Sequence, residues 1–398
     1  MKKIYSLLFI ALPFVMFSQQ TITSISNGIA TNPMVWDCSC FPSTTDNIIV
    51  NHNITMNTNW LINGGGSITV NWGATFQQDS QYRSILIDGS GASFVNHGTT
   101  KMTSFALTNG STVHNHYIMS LDSALWVSVG STYMNHGNTI DIDSTYIQGT
   151  LINEGVFKKG DFLNDGTVNN SGYIHTDSLA NRGVFISTAG SIEAYDFGNN
   201  DVFEIGGSSY MTVINDAYND GDLKIANGRS IRIGNDFTNA YLNDPSNVYN
   251  NGLFEVARNF LNTDTLRGSG VFCIGNLSTN TGVVMGTLDI CDNTGGGFFD
   301  LNTGTITSGV TDCITGCTVN VEEEKNKDLV TIYPNPVSNV LNIQGETVGT
   351  YSIVDITGNQ VLSGQISPKI DLSECSPAIY FIRLNTQSGV STIKFIKQ

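Results

Sequence analysis

The octapeptide Gly130-Ser131-Thr132-Tyr133-Met134-Asn135-His136-Gly137 joins two phrases that recur along this chain, and their spacing decides the fold. The first phrase, glycine-small-small-apolar, stands at Gly73-Ala74-Thr75-Phe76, Gly91-Ala92-Ser93-Phe94, Gly110-Ser111-Thr112-Val113, Gly130 and Gly149-Thr150-Leu151-Ile152, with steps of 18, 19, 20 and 19 between glycines. Later copies open at Gly190, Gly207 and Gly228. The second phrase, apolar-Asn-x-Gly, stands at Asn96, Asn135, Asn153, Asn164, Asn181, Asn219 and Asn250. Between the phrases lie short apolar alternations without helical periodicity. A period near 19 built from such runs implies a β-solenoid. Each coil would hold two or three short strands, burying alternate side chains in a shared core while backbone groups pair with the coils above and below. Asn suits the turns because it tolerates left-handed backbone. One Asn per coil would also form an internal ladder, amide to amide.

The solenoid is expected over residues 46–320, room for roughly 13 coils and a rod of about 60 Å at about 4.8 Å per coil. Bare ends would template edge-to-edge association, so both need caps. Residues 19–45, with Trp36, Cys38, Cys40 and Pro42, supply the first, and the Gly- and Cys-rich stretch 268–320 the second. Seven cysteines fall at Cys38, Cys40, Cys273, Cys291, Cys313, Cys317 and Cys375, leaving 41–272 with none. This suggests disulfide staples on the ends of a long structure, with at least one thiol left over. Cys273 and Cys291, 18 apart, would sit one above the other; Cys291 with Cys313 is an equal alternative.

Export is written at the N-terminus. Met1-Lys2-Lys3 precedes an apolar run from Ile4 to Phe17, too short to span a bilayer, and small Ser18 before Gln19 suits cleavage of a signal peptide, residues 1–18. No later run is long and apolar enough to span a membrane. Eighteen basic against 34 acidic residues give a net charge of −16, which repels phosphate backbones and argues against nucleic-acid binding. An anionic glycan would need a local cationic patch.

The texture changes after the charged linker 321–328. Runs at 329–333, 340–343, 351–356, 378–385 and 392–397 alternate cleanly, with Tyr380, Ile382 and Leu384 on one face, and argue a small β-sandwich over 329–398. Its motifs are Ile332-Tyr333-Pro334-Asn335-Pro336, Asp355-x-x-Gly358, Ile370-Asp371-Leu372-Ser373, Ile379-Tyr380-Phe381-Ile382-Arg383-Leu384 and the ending Lys394-Phe395-Ile396-Lys397. In that order they closely resemble the type A C-terminal sorting domain of the type IX secretion system of Bacteroidota. The resemblance implies recognition by the secretion machinery at the outer membrane, removal by a cut in the linker, and a cargo released or attached to surface polysaccharide. Ala378 stands where the family usually has Gly, a departure expected to strain a turn slightly. More loosely, Trp36-x-Cys38-x-Cys40-x-Pro42 and the strands after it resemble the opening coils of secreted bacterial right-handed β-helix proteins. The fold class is therefore all-β, a right-handed parallel solenoid followed by an Ig-like sandwich.

Candidate chemistry is sparse. His97, His116 and His136 recur at steps of 19 and 20 and would stack in one column, able to hold a metal or sense pH, but Glu154 and Arg182 continue the pattern as ordinary turn residues. Paired carboxylates at Asp141/Asp143, Asp161/Asp165 and Asp216/Asp220/Asp222 would serve glycoside hydrolysis if they converged on one face. No Gly-x-Ser-x-Gly, phosphate-cradling or HExxH motif occurs, and no catalytic residue, metal or cofactor is expected. Asp122-Ser123-Ala124, Asp143-Ser144-Thr145, Asp177-Ser178-Leu179 and Asp264-Thr265-Leu266 resemble the O-glycosylation sequon of Bacteroidota, which implies modification at Ser123, Ser144, Ser178 and Thr265 on exposed turns. The expectation is a secreted or surface solenoid acting in adhesion, surface structure or glycan contact, with a polysaccharide-degrading enzyme as the alternative.

Overall fold

A computed structural model describes residues 19–398 apart from 159, 241–245, 296, 314–316, 318–329, 346–348, 356–359, 374 and 387–388. The expected signal peptide 1–18 with its cleavage position Ser18, the expected linker 321–328 and Gly358 lie outside the described residues. The chain divides into two units, Met1–Cys317 and Thr318–Gln398.

The first unit is a parallel β-solenoid with three faces. The first face is a fifteen-stranded parallel sheet, with strands such as Thr112–Asn115, Thr132–Asn135 and Thr150–Asn153 in register one coil apart. The other two faces form one connected network. Long strands such as Thr99–Thr108 and Tyr173–Asn181 run from the second face onto the third, with a register shift at the corner between Met102 and Ser104.

Alternation does the folding. The second residue of successive first-face strands, Phe94, Val113, Tyr133, Leu151, Val168 and Phe185, is fully buried. Each such side chain contributes about 1.5–3 kcal/mol, and the parallel ladder stacks it on its counterpart above and below. The first-phrase glycines Gly73, Gly91, Gly110 and Gly130 have φ of +80° to +85°, a left-handed turn that delivers the chain into the first face at Gly91, Gly110 and Gly130 and into the second face at Gly73. The residues expected to form a cap also supply strands. Thr21–Thr23 pairs with the first face and Gly28–Ile29 with the second, while buried Trp36 donates Nε1–H to Ala30 O at 2.8 Å and packs on Trp60.

The Asn-x-Gly phrase turns out to occupy two different corners. Asn96, Asn115, Asn135, Asn153 and Asn170 close first-face strands, whereas Asn164, Asn181, Asn199, Asn219, Asn239, Asn262 and Asn280 close third-face strands. All twelve are buried, and in each run Nδ2 donates to the next Oδ1 at 2.7–2.9 Å. The single expected ladder is thus two. The first hands over to Ser187 Oγ, and its column then turns apolar at Ile205 and Ile225. None of these Asn has a left-handed backbone, so the turn propensity invoked from sequence is not why they recur. They recur because a buried primary amide can donate and accept along the same axis.

The second unit packs a three-stranded antiparallel sheet (Val330–Tyr333, Val340–Gly345, Lys369–Asp371) with a four-stranded one (Gln360–Gln365, Gly349–Asp355, Ala378–Thr386, Gly389–Lys397). Its core includes Leu341, Ile353, Ile370, Ile382, Leu384 and Phe395.

Candidate functional site

In the C-terminal unit the quoted motif meets the end of the chain. Asn335 donates from Nδ2 to Lys394 O at 3.1 Å and accepts the Ile396 N–H at 2.9 Å, clamping Pro334-Asn335-Pro336 to the last strand. The Val337 N–H donates to Ile396 O and the Gln398 N–H to Val337 O, extending the clamp. Tyr380 is buried, and its hydroxyl donates to Ser376 O at 2.9 Å. Lys394 points outward; Lys397 is buried and its Nζ donates to Gln398 O. Ala378 sits in a paired strand opposite Lys397, not at a left-handed turn, so the strain expected there does not arise.

The cysteines sit as staples at the solenoid's ends. Cys38 bonds Cys40, Cys291 bonds Cys313, and Cys273 bonds Cys317, with Cα–Cα separations of 5.1, 4.4 and 5.6 Å. Cys273 and Cys291 are stacked in register, yet each bonds elsewhere. Cys317 lies beyond the last coil, and its Sγ, bonded to Cys273, rests 3.7 Å from Cys291 O. Cys375 is a half-buried thiol in the C-terminal unit.

The histidines form a stack. His97 and His116 have ring centroids 4.6 Å apart and His116 and His136 4.9 Å, with planes within 11°. Trp72 leans on one end, and Glu154 ends the row, its Oε2 2.8 Å from His136 Nδ1. Stacked rings aim their nitrogen lone pairs along parallel planes, which suits ring contact better than a shared metal. Among the described residues no cluster of His, Cys, Asp or Glu has metal-binding geometry. Burial, and the neighbouring imidazoles, lower the affinity of His114 and His116 for a proton. Arg182 is not part of this column. It follows the other Asn ladder and makes a two-point ion pair with Asp165.

Several of the paired carboxylates serve the scaffold. Asp141 accepts from Ser120, Asp222 from Asn247, and Asp216 accepts the backbone N–H of Asp236 in the next coil. Burial would raise the Asp165 carboxyl, but hydrogen bonds from Arg182 and Tyr146 outweigh it and hold it below the usual range. Arg83 does the same for Asp79, and Thr108 with Asn109 for Asp88. The four sequon hydroxyls are in strands rather than turns. Ser123 and Ser178 lie inside Ile118–Val127 and Tyr173–Asn181, while Ser144 and Thr265 open strands. Ser144 is exposed and the others half-buried.

Sequence reasoning passed over Trp126. It faces outward on the third face, 49% exposed, edge-on to Tyr146 at 5.1 Å. Tyr146 donates to Asp165 Oδ2 at 2.6 Å and accepts from Gln148 Nε2 at 2.9 Å. The signal was present: Trp126 lies between Leu125 and Val127, whose alternation already takes the inward positions.

Residues 331–398 match the family described as the secretion system C-terminal sorting domain. No curated protein matches the chain, and no solved structure does. The chain is thus an exported β-solenoid carrying a C-terminal sorting domain. It is a substrate of type IX secretion that ends up outside the cell or on its surface. No helix among the described residues is long and apolar enough to cross a membrane.

Proposed function

We propose that the solenoid works by contact, in adhesion, surface structure or glycan binding, and not by catalysis. The supporting observation is where its carboxylates go. Glycoside hydrolysis needs one carboxylic acid kept protonated by a raised pKa beside a second, ionised carboxylate. Here Asp79, Asp88 and Asp165 are all shifted the other way, held ionised by hydrogen-bond donors. One outer column of the first face presents hydroxyls in successive coils, Ser93, Thr112, Thr132, Thr150 and Thr167.

The test is a deletion strain and the secreted full chain assayed together. Loss of surface attachment or aggregation in the deletion strain, with retention on polysaccharides but no new reducing ends, is the expected result. Release of reducing ends or unsaturated uronates by the purified chain would replace this function with the enzymatic one.

A further inference from the structure

We infer that the third face carries a binding strip for a neutral polysaccharide lying parallel to the solenoid axis, with the exposed Trp126 as its stacking ring and Tyr146 edge-on beside it; this deepens the contact function proposed above and rests on it.

The strip follows from register. Leu86, Ala106, Trp126, Tyr146, Leu163 and Ala180 are paired successively, so they form one outward row over six coils. Every member is at least partly exposed, although strand alternation directs outward positions to water and polar residues belong there. Two residues to either side run polar rows. One holds Ser104, Ser144, Asp161 and Ser178, interrupted by Ala124 in the coil of Trp126; the other holds Thr108, Ser128 and Gln148, then Asp165 and Arg182. At about 3.3 Å per residue each rim is roughly 6.6 Å from the apolar row.

An apolar spine between two hydrogen-bonding rims matches the chemistry of a pyranose chain, whose ring faces carry C–H groups and whose edges carry hydroxyls. A hexose unit is comparable in length to the step of about 4.8 Å between coils, so successive sugars can meet successive coils. Trp126 offers a large exposed ring, braced by Tyr146 at 85° to it, and both have little conformational entropy to lose. The tie from Tyr146 to Asp165, itself held by Arg182, fixes the second ring before any ligand arrives.

Charge selects the ligand class. The rims carry Asp88, Asp161 and Asp165 with Arg182 as the balancing cation, and the chain has a net charge of −16. A polyuronate or sulfated glycan would be repelled, whereas a neutral chain is not.

The experiment is retention of the secreted full chain on insoluble β-1,4-glucan and β-1,4-mannan, with polygalacturonate as the anionic comparison. Trp126→Ala and the Trp126→Ala/Tyr146→Ala pair are compared with Tyr210→Ala, an exposed ring on the second face. Melting curves run alongside confirm that each variant is folded. Expected are retention on a neutral polymer, little on polygalacturonate, about tenfold weaker binding for the pair, equivalent to 1.4 kcal/mol, and no change for Tyr210→Ala. Equal retention of parent and pair would place glycan binding elsewhere, overturning the strip while leaving the contact function standing. Preference for polygalacturonate, or no retention on either neutral polymer, would also overturn it; the attachment phenotype of the deletion strain then decides the contact function separately.

Discussion

Asn181 Nδ2 donates to Asn199 Oδ1 at 2.8 Å with both side chains fully buried, and the same amide plane receives Asn164 Nδ2 at 2.7 Å. Each internal ladder member is therefore both donor and acceptor. Truncating Asn181 to Ala leaves a buried N–H and a buried oxygen without partners, at about 1–3 kcal/mol each, besides the cavity. Asn181→Ala is expected to lower stability by roughly 2–5 kcal/mol. Asn302, the exposed last member, should cost under about 0.5 kcal/mol. Urea denaturation followed by circular dichroism distinguishes the two; equal effects would mean that the ladder contributes nothing beyond its separate residues.

The glycine of Asn-x-Gly is required for room rather than for φ. A Cβ on Gly155 would lie 2.0 Å from Gly137 O, a backbone atom locked in the coil below. Gly155→Ala should therefore exceed the usual overpacking cost of about 1–3 kcal/mol. Gly198, on the third face, has nothing within 4 Å of the same position, so Gly198→Ala should raise stability by about 0.5 kcal/mol. A comparison of melting temperatures suffices, and a tolerated Gly155→Ala would contradict the packing described.

Much of this architecture is legible in the chain. The 19-residue period, the parallel coils and the amide ladder all follow from repeated phrases, and the sandwich from clean alternation with Pro334 and Pro336 as breaks. What is not legible is which corner a phrase occupies, because Asn153-Glu154-Gly155 and Asn164-Asp165-Gly166 are locally equivalent and differ only in the strand each closes. The same ambiguity misplaced Arg182 in the histidine column. Disulfide partners depend on the chain doubling back at Cys317, which spacing does not encode. The outward row through Trp126 emerges only when each coil is aligned to its neighbour, because its step is 20 residues as far as Tyr146 and 17 from there to Ala180.

Acid should loosen the histidine corner before it reaches the carboxylates. His114 and His116 are held below the ordinary value of 6.5 by burial first and by neighbouring imidazoles second. Their unfolded forms bind protons more readily, so the stability they contribute is complete above about 6.5 and is lost as pH falls through the lower folded values. The carboxylates Asp79, Asp88 and Asp165 are lowered from 3.8, and their contribution is lost only in stronger acid. Between pH 7.5 and 5 the parent's melting temperature should fall further than that of His114→Gln/His116→Gln. Parallel curves would remove the histidines as the cause.

Modification at the sequon serines should follow accessibility. Ser144 is exposed at the corner where the second and third faces meet, whereas Ser123 and Ser178 are half-buried within continuous strands. Intact-mass analysis of protein from its native host should show glycan mass, most of it lost in Ser144→Ala. Because Ser144 also lies on a rim of the third-face strip, Ser144→Ala protein should be retained on neutral polysaccharide at least as well as the parent. An unmodified native mass would end the modification hypothesis.

Sorting should depend on the clamp between Pro334-Asn335-Pro336 and the end of the chain. Asn335 Oδ1 accepts from the Ile396 backbone and Nδ2 donates to the Lys394 carbonyl, so one side chain fixes the position of the terminal strand that carries Lys394 and Lys397. Asn335→Ala removes both bonds while leaving the buried core of Leu341, Ile353, Ile382 and Phe395 in place. The domain should stay folded but present its last strand less firmly, and most of the chain should then be found with the cells. Gln365→Ala, exposed on an outer strand, should be secreted normally. Cell and supernatant fractions probed for the solenoid provide the measurement. Unchanged secretion of Asn335→Ala would show that the machinery reads this domain without needing the clamp.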